Sequence, residues 1–123
     1  MNIAIYARKS VYSDKSDSVD AQVKICKEYA QNNFTVTTIL VYEDEGFTGA
    51  DTHRPGFERL MEDVMSKKID VLICYKIDRI SRNVLDFSKT FNTLQEKDVQ
   101  FVSVKEQIDT STPLGRAMMY ICS

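Results

Sequence analysis

Four short, unbroken apolar runs constrain this chain more than any other feature: Ile3 to Ala7, Ile39 to Tyr42, Val71 to Tyr75, and Phe101 to Val104 with only Ser103 interrupting. A strand with one face in water alternates apolar and polar residues. A run without alternation suits a strand buried on both faces, as in a parallel sheet. Helical periods separate the runs. Val19, Val23, Cys26 and Ala30 follow a Ser/Asp-rich start at Ser16 to Ser18. Phe57, Leu60, Met61, Val64 and Met65 follow Pro55, which stands near a first helical position, and Val84, Phe87, Phe91 and Leu94 make the third stripe. Parallel strands must be joined by crossovers, and here the crossovers are helices. The expectation is an α/β domain of three layers, with a mainly parallel central sheet of four to five strands flanked by helices.

Length and charge narrow the function classes. A chain of 123 residues can bury one sizeable core without staples. Its formal net charge of -2 argues against gripping nucleic acid by bulk electrostatics. No apolar stretch is long enough to span a bilayer, and Met1 leads into a strand-like run without a signal-peptide pattern, so neither a membrane nor export is expected. Cys26, Cys74 and Cys122 are odd in number, sit inside apolar patterns and lack metal-ligand spacing, which reads as reduced core cysteines of a cytoplasmic protein. In "TPLGRAMMYICS", Thr112 is an expected N-cap with Pro113 in the first turn, and Leu114, Met118 and Ile121 form a stripe with Met119 and Cys122 beside it. The pattern stops at Ser123 without a C-cap signal, which reads as a helix cut short. The expected division is a domain over 1–110 and the start of a longer helix over 111–123.

Ligands of open α/β sheets sit outside the carboxyl ends of the strands. The residues following each run are Arg8 and Ser10, then "EDEG" (Glu43 to Gly46), then "KIDRISR" (Lys76 to Arg82), then Lys105 and Glu106. Arg8, Arg79 and Arg82 therefore arrive at one edge beside one serine, and Arg54 opens the second helix. A guanidinium is a permanently charged planar fork that matches phosphate oxygens. Several around a hydroxyl suggest a nucleophile held against a phosphoryl group, whose developing charge fixed cations stabilise. Serine needs a base or a positive field, and the single histidine, His53, lies far along the chain, so the arginines themselves would favour the alkoxide. Blander readings stand beside these: Asp78 and Arg79 as a surface ion pair, "EDEG" as a solvated turn rather than a metal site, and Gln22 as a structural amide. Gln22 shares a helical stripe with Val19 and Cys26, so its amide faces the core or the sheet edge and requires a partner there.

The segments "YARKS", "SVDAQ", "DEGFTG", "RPGFERL", "YKIDRISRN" and "IDTSTPLGR" occur in that order. Together they resemble the catalytic domain of serine site-specific recombinases, the resolvase/invertase superfamily, and in "RKS", "RPGF" and "DTSTPLGR" the large serine recombinases above all. Thr48 stands where many relatives carry Ser, and the hydroxyl is kept. The resemblance implies a resolvase-like fold and DNA recombination through Ser10, which would attack a DNA phosphate to give a 5′-phosphoserine and a free 3′-hydroxyl. It implies that Arg8, Arg79 and Arg82 hold the scissile phosphate with help from Arg54. Asp78 and Gln22 would orient these groups, either of them serving in acid/base roles, and Tyr6 and Asp44 would support them. It implies double-stranded DNA as partner, self-association as dimer and tetramer, and chemistry without ATP, metal, cofactor or small-molecule substrate. Gly46 and Gly49 bracket a loop suited to movement. Two rivals remain at this point: a flavodoxin-like phosphate-receiving domain, which would place carboxylates rather than Arg8 after the first strand, and an inactive dimerisation or binding module of the same fold.

Overall fold

The computed structural model describes residues 1–8, 18–44, 54–80, 84–113, 115 and 117. The order is β1 (Asn2–Arg8), α1 (Val19–Asn33), β2 (Thr38–Asp44), α2 (Pro55–Met65), β3 (Val71–Cys74), a 3₁₀ turn (Ile77–Arg79), α3 (Val84–Glu96), β4 (Gln100–Ser103) and β5 (Ile108–Asp109). The five strands form one sheet in the order β2-β1-β3-β4-β5. The first four are mutually parallel, and β5 pairs antiparallel with β4 through Val102 opposite Asp109 and Ser103 opposite Ile108. The α/β fold with a mainly parallel sheet is as expected. The two-residue β5 is too short to leave a periodic signal in the sequence.

The alternation of β1 divides the interior. Ile3 and Ile5 join Val71, Ile73 and Val102 beneath α1, packed on Cys26 and Ala30. Ala4 and Tyr6 face the opposite layer, where Leu60 and Val64 of α2 and Phe87, Phe91 and Leu94 of α3 close over Leu72 and Phe101. Cys26 and Cys74 are buried in different cores. Burial alone pushes the Cys26 thiol up to about 12.

Two expectations need correction. The Ile39 to Tyr42 run, expected to be buried on both faces, belongs to β2 at the sheet edge, and its Val41 is exposed. Met65, placed on the apolar stripe of α2, is 55% exposed at the helix end, where the chain has already turned away from the core.

Helix ends explain how the crossovers stay short. Ser18 caps α1 by accepting from the Ala21 N–H at 3.2 Å. After α2 the Lys67 N–H reaches Val64 O and the Lys68 N–H reaches Asp63 O, with Lys67 at φ 58°. After α3 the Asp98 N–H reaches Gln95 O and the Val99 N–H reaches Leu94 O, with Asp98 at φ 57°. Both are Schellman endings built without glycine. Beyond β5, Thr112 Oγ1 accepts from the Gly115 N–H at 2.9 Å, the bond expected of an N-cap there. A Cβ on Gly115 would stand 1.8 Å from Asp109 O, so only glycine lets this turn fold back on β5.

Candidate active site

The crossover from β1 to β2 runs to one side of β1 with α1 on one face, and the crossover from β2 to β3 runs to the other side with α2 on the opposite face. The carboxyl ends of β1 and β3 therefore flank the point where the topology reverses, the place where open sheets leave a crevice. Tyr6 pairs with Cys74 across these strands, so Arg8 and the turn Ile77–Arg79 leave the sheet side by side.

Arg8 and Arg79 are both buried, at 7% and 5% exposure. Charged side chains are removed from water to this extent only where the surrounding chemistry compensates. Gln22 is fully buried, and its Nε2 donates to the Arg8 carbonyl at 3.1 Å. The amide that the helical stripe turned inward thus ties α1 to the end of β1. Asp78 lies in the 3₁₀ turn beside Arg79. Ser10 and Arg82 lie outside the described residues, as do the Gly46–Gly49 loop, Thr48, and the stripe residues Leu114, Met118 and Ile121.

Asp44 departs from the solvated turn expected of "EDEG": it is 6% exposed and gathers three donors. Oδ1 accepts from the Gly56 N–H at 2.7 Å, and Oδ2 accepts from the Phe57 N–H at 2.9 Å and from the Tyr6 hydroxyl at 2.7 Å. Arg54, the residue preceding α2, has no side-chain capping bond to the helix, and the end of β2 supplies the cap instead. Gly56 permits the approach, since a Cβ there would meet Glu43 O at 2.5 Å. Burial first, and then the Asp44 bond, push the Tyr6 phenol well above its ordinary value, against the opposing pull of Arg54 and Arg8. Tyr6 is therefore a fixed proton donor to a carboxylate that acts only as acceptor.

Arg54 is docked on this assembly. Its Nη1 donates to Ile80 O at 2.7 Å, and its guanidinium lies 4.0 Å from the Phe57 ring centroid and 5.7 Å from that of Tyr6. Phe57 meets Tyr6 edge to face at 5.5 Å. The motif reading named Arg54, Tyr6 and Asp44 as site residues and did not name Phe57 or the Ile80 carbonyl, which the geometry brings against Arg54. The adjacency of Arg54 and Phe57 in "RPGF" was the available signal for the ring.

The resolvase N-terminal domain model matches residues 3–123. The chain belongs to that family. A Bacillus subtilis (strain 168) protein named as a DNA recombinase is 32% identical over 111 residues, which are 89% of this chain and 21% of that protein. The DNA-invertase of Enterobacteria phage P7 is 32% identical over 82 residues, covering 67% of this chain and 42% of the invertase. Among solved structures, the N-terminal catalytic domain of TP901-1 integrase superposes with a TM-score of 0.81 at 33% identity, covering 98% of this chain and 90% of that one. The chain thus spans about a fifth of the first relative and about two fifths of the second. Its sheet and helices are those of a resolvase-family domain. The strand order alone is shared with flavodoxin-like domains, so it is the family match over residues 3–123 that removes the phosphate-receiving alternative. Among the described residues no helix is long and apolar enough to cross a membrane.

Proposed function

We propose that this chain is the catalytic domain of a serine site-specific DNA recombinase and that Ser10 is its nucleophile. Ser10 Oγ attacks a backbone phosphorus of double-stranded DNA and the P–O3′ bond breaks. The 5′ end remains as a phosphoserine ester, and the 3′ oxygen leaves with a proton. Religation is the same exchange reversed, with the 3′-hydroxyl of another strand as attacker. One phosphoester replaces another at each step, so the reaction needs neither ATP nor an obligatory metal. Arg8, Arg79 and Arg82, with Arg54, stabilise the charge that grows on the non-bridging oxygens. Asp78 and Gln22 orient them, and Tyr6 and Asp44 hold the frame. The protein would act in the cytoplasm as a dimer and then a tetramer, one active site for each broken strand.

The observation carrying this reading is the burial of two guanidinium groups, Arg8 and Arg79, at the carboxyl ends of adjacent strands where the topology reverses. The decisive experiment incubates the full product of the gene with DNA bearing its attachment sites, quenches with detergent and separates covalent protein–DNA adducts. An adduct on the 5′ phosphate that disappears in Ser10→Ala is expected. Adducts that survive the substitution would assign the nucleophile elsewhere. DNA binding without any adduct would favour an inactive binding module of the same fold.

A further inference from the structure

The 3₁₀ turn Ile77–Arg79 is a weak element for its position. Its internal support is the Arg79 N–H on Lys76 O at 3.1 Å and the Ile80 N–H on Ile77 O at 2.9 Å. Such turns have poorer hydrogen-bond geometry than an α-helix and so little internal stability. Yet this one carries Arg79, and the residue after it offers the carbonyl that holds Arg54 at 2.7 Å. Two guanidinium groups therefore depend on where one short segment sits.

The segment is fastened from the next strand. The β3–β4 ladder continues beyond both strands, with the Val104 N–H on Cys74 O at 3.0 Å and the Lys105 N–H on Tyr75 O at 2.9 Å. This brings Glu106 alongside the start of the turn. Both carboxylate oxygens lie 3.3 Å from the Ile77 nitrogen, whose N–H opens the turn and so has no partner within it. The same carboxylate accepts from the hydroxyl of Ser103, a fully buried residue at the end of β4. Gln107 follows at φ 58° and turns the chain into β5. Glu106 is thus gripped from the sheet on one side and holds the arginine-bearing turn on the other.

We infer that Glu106 is a positioning residue for the phosphate-binding arginines: by clamping Ile77 it sets where Arg79 points and where the Ile80 carbonyl receives Arg54. The role in catalysis rests on the recombinase reading above; the clamp itself does not. Glutamate suits the task because one carboxylate can serve a backbone donor and a hydroxyl together, and because a glutamine would keep an acceptor oxygen for Ile77.

The test compares wild type, Glu106→Ala and Glu106→Gln in two measurements. In the full gene product, single-turnover adduct formation is followed at saturating DNA, with DNA affinity measured by gel shift. In this chain alone, amide hydrogen exchange is compared at Ile77 and Ile80 against Ile5 and Ile73. Glu106→Ala should slow cleavage about tenfold or more with DNA affinity changed less than about twofold, because misplacing a reacting frame costs rate rather than binding. It should also speed exchange at Ile77 and Ile80 about tenfold while leaving Ile5 and Ile73 unchanged. Glu106→Gln should restore the cleavage rate to within about threefold. Wild-type cleavage by Glu106→Ala would overturn the inference, as would an equal defect in Glu106→Gln or exchange that quickens throughout the sheet. Should the wild type form no adduct at all, the recombinase reading fails, and exchange at Ile77 alone decides the clamp.

Discussion

Asp44→Asn is the substitution whose consequence the geometry fixes most closely. The side chain keeps its size but exchanges one acceptor oxygen for an NH2 group. Asp44 faces two backbone donors on opposite oxygens, Gly56 N–H at Oδ1 and Phe57 N–H at Oδ2. Whichever way the amide is turned, one of those N–H groups then meets another N–H. The Tyr6 hydroxyl can rotate to accept, but a backbone amide cannot. Losing a hydrogen bond to a charged acceptor costs about 1.5–3 kcal/mol. Removing the anion from the start of α2 adds about 0.3–1 kcal/mol. The sum is about 2–4 kcal/mol, a large part of the ~5–15 kcal/mol that holds such domains folded. Urea unfolding followed by far-UV circular dichroism reads it directly. With a slope of about 2 kcal/mol per molar, the midpoint should fall by about 1–2 M with the slope unchanged. A fall worth less than about 0.5 kcal/mol would refute the reasoning, since it would mean that the cap is not what anchors α2 to β2.

Three further outcomes follow from the same structure. Gly56→Ala puts a methyl group 2.5 Å from Glu43 O, so α2 must retreat; the expected loss is about 1–3 kcal/mol, and a melting temperature equal to wild type would show that the approach is not tight. Lys67→Gly relieves a left-handed residue at φ 58°, worth ~1–2 kcal/mol, against about 0.5–1 kcal/mol of added chain entropy, so a net gain of up to about 1.5 kcal/mol in thermal unfolding is expected. Alkali should destabilise the fold: the Cys26 thiol has an ordinary value of 9.0 and about 12 when folded, so between these the folded state retains a proton that the unfolded state releases. Stability is then full below pH 9 and declines as pH rises toward 12, joined above pH 10 by the Tyr6 and Tyr42 phenols, which burial also raises. Urea midpoints that hold steady from pH 8 to 11 would contradict this, and Cys26→Ala should flatten the first part of the decline.

The layered α/β architecture was legible because buried parallel strands leave unbroken apolar runs and their crossovers leave helical stripes. The exposure of Val41 was not, since a run of apolar residues looks the same at a sheet edge as at its centre. Gln22 shows how far periodicity reaches: its stripe position required a partner, but only the fold revealed that the partner is the Arg8 carbonyl. That Asp44 caps α2 was hidden by sequence distance, because the backbone donors it meets lie at 56 and 57 across a long connection. A faint signal existed in "HRPGF", which starts a helix at Pro55 with Arg54 rather than Ser, Thr, Asp or Asn at the capping position and so requires a cap from elsewhere. Glu106 was legible only as a residue following the fourth run; nothing in the sequence pointed to a partner for it, since an acid after a strand is ordinarily solvated.

The two-sided alternation of β1 has a consequence for how such a domain can change over generations. β1 is paired along both flanks, with Asn2 to Arg8 against Thr38 to Asp44 and Ile3 to Tyr6 against Val71 to Cys74. Substitutions beneath α1, at Ile3 or Ile5, alter one layer and leave the residues at even positions where they are. Inserting or deleting a single codon between them would exchange the two sets, turning Tyr6 and Arg8 toward α1 and stranding Asp44. Length variation among descendants should therefore collect in the connections, while β1 drifts by replacement alone, its reading frame held by geometry as strictly as its gene's is held by translation.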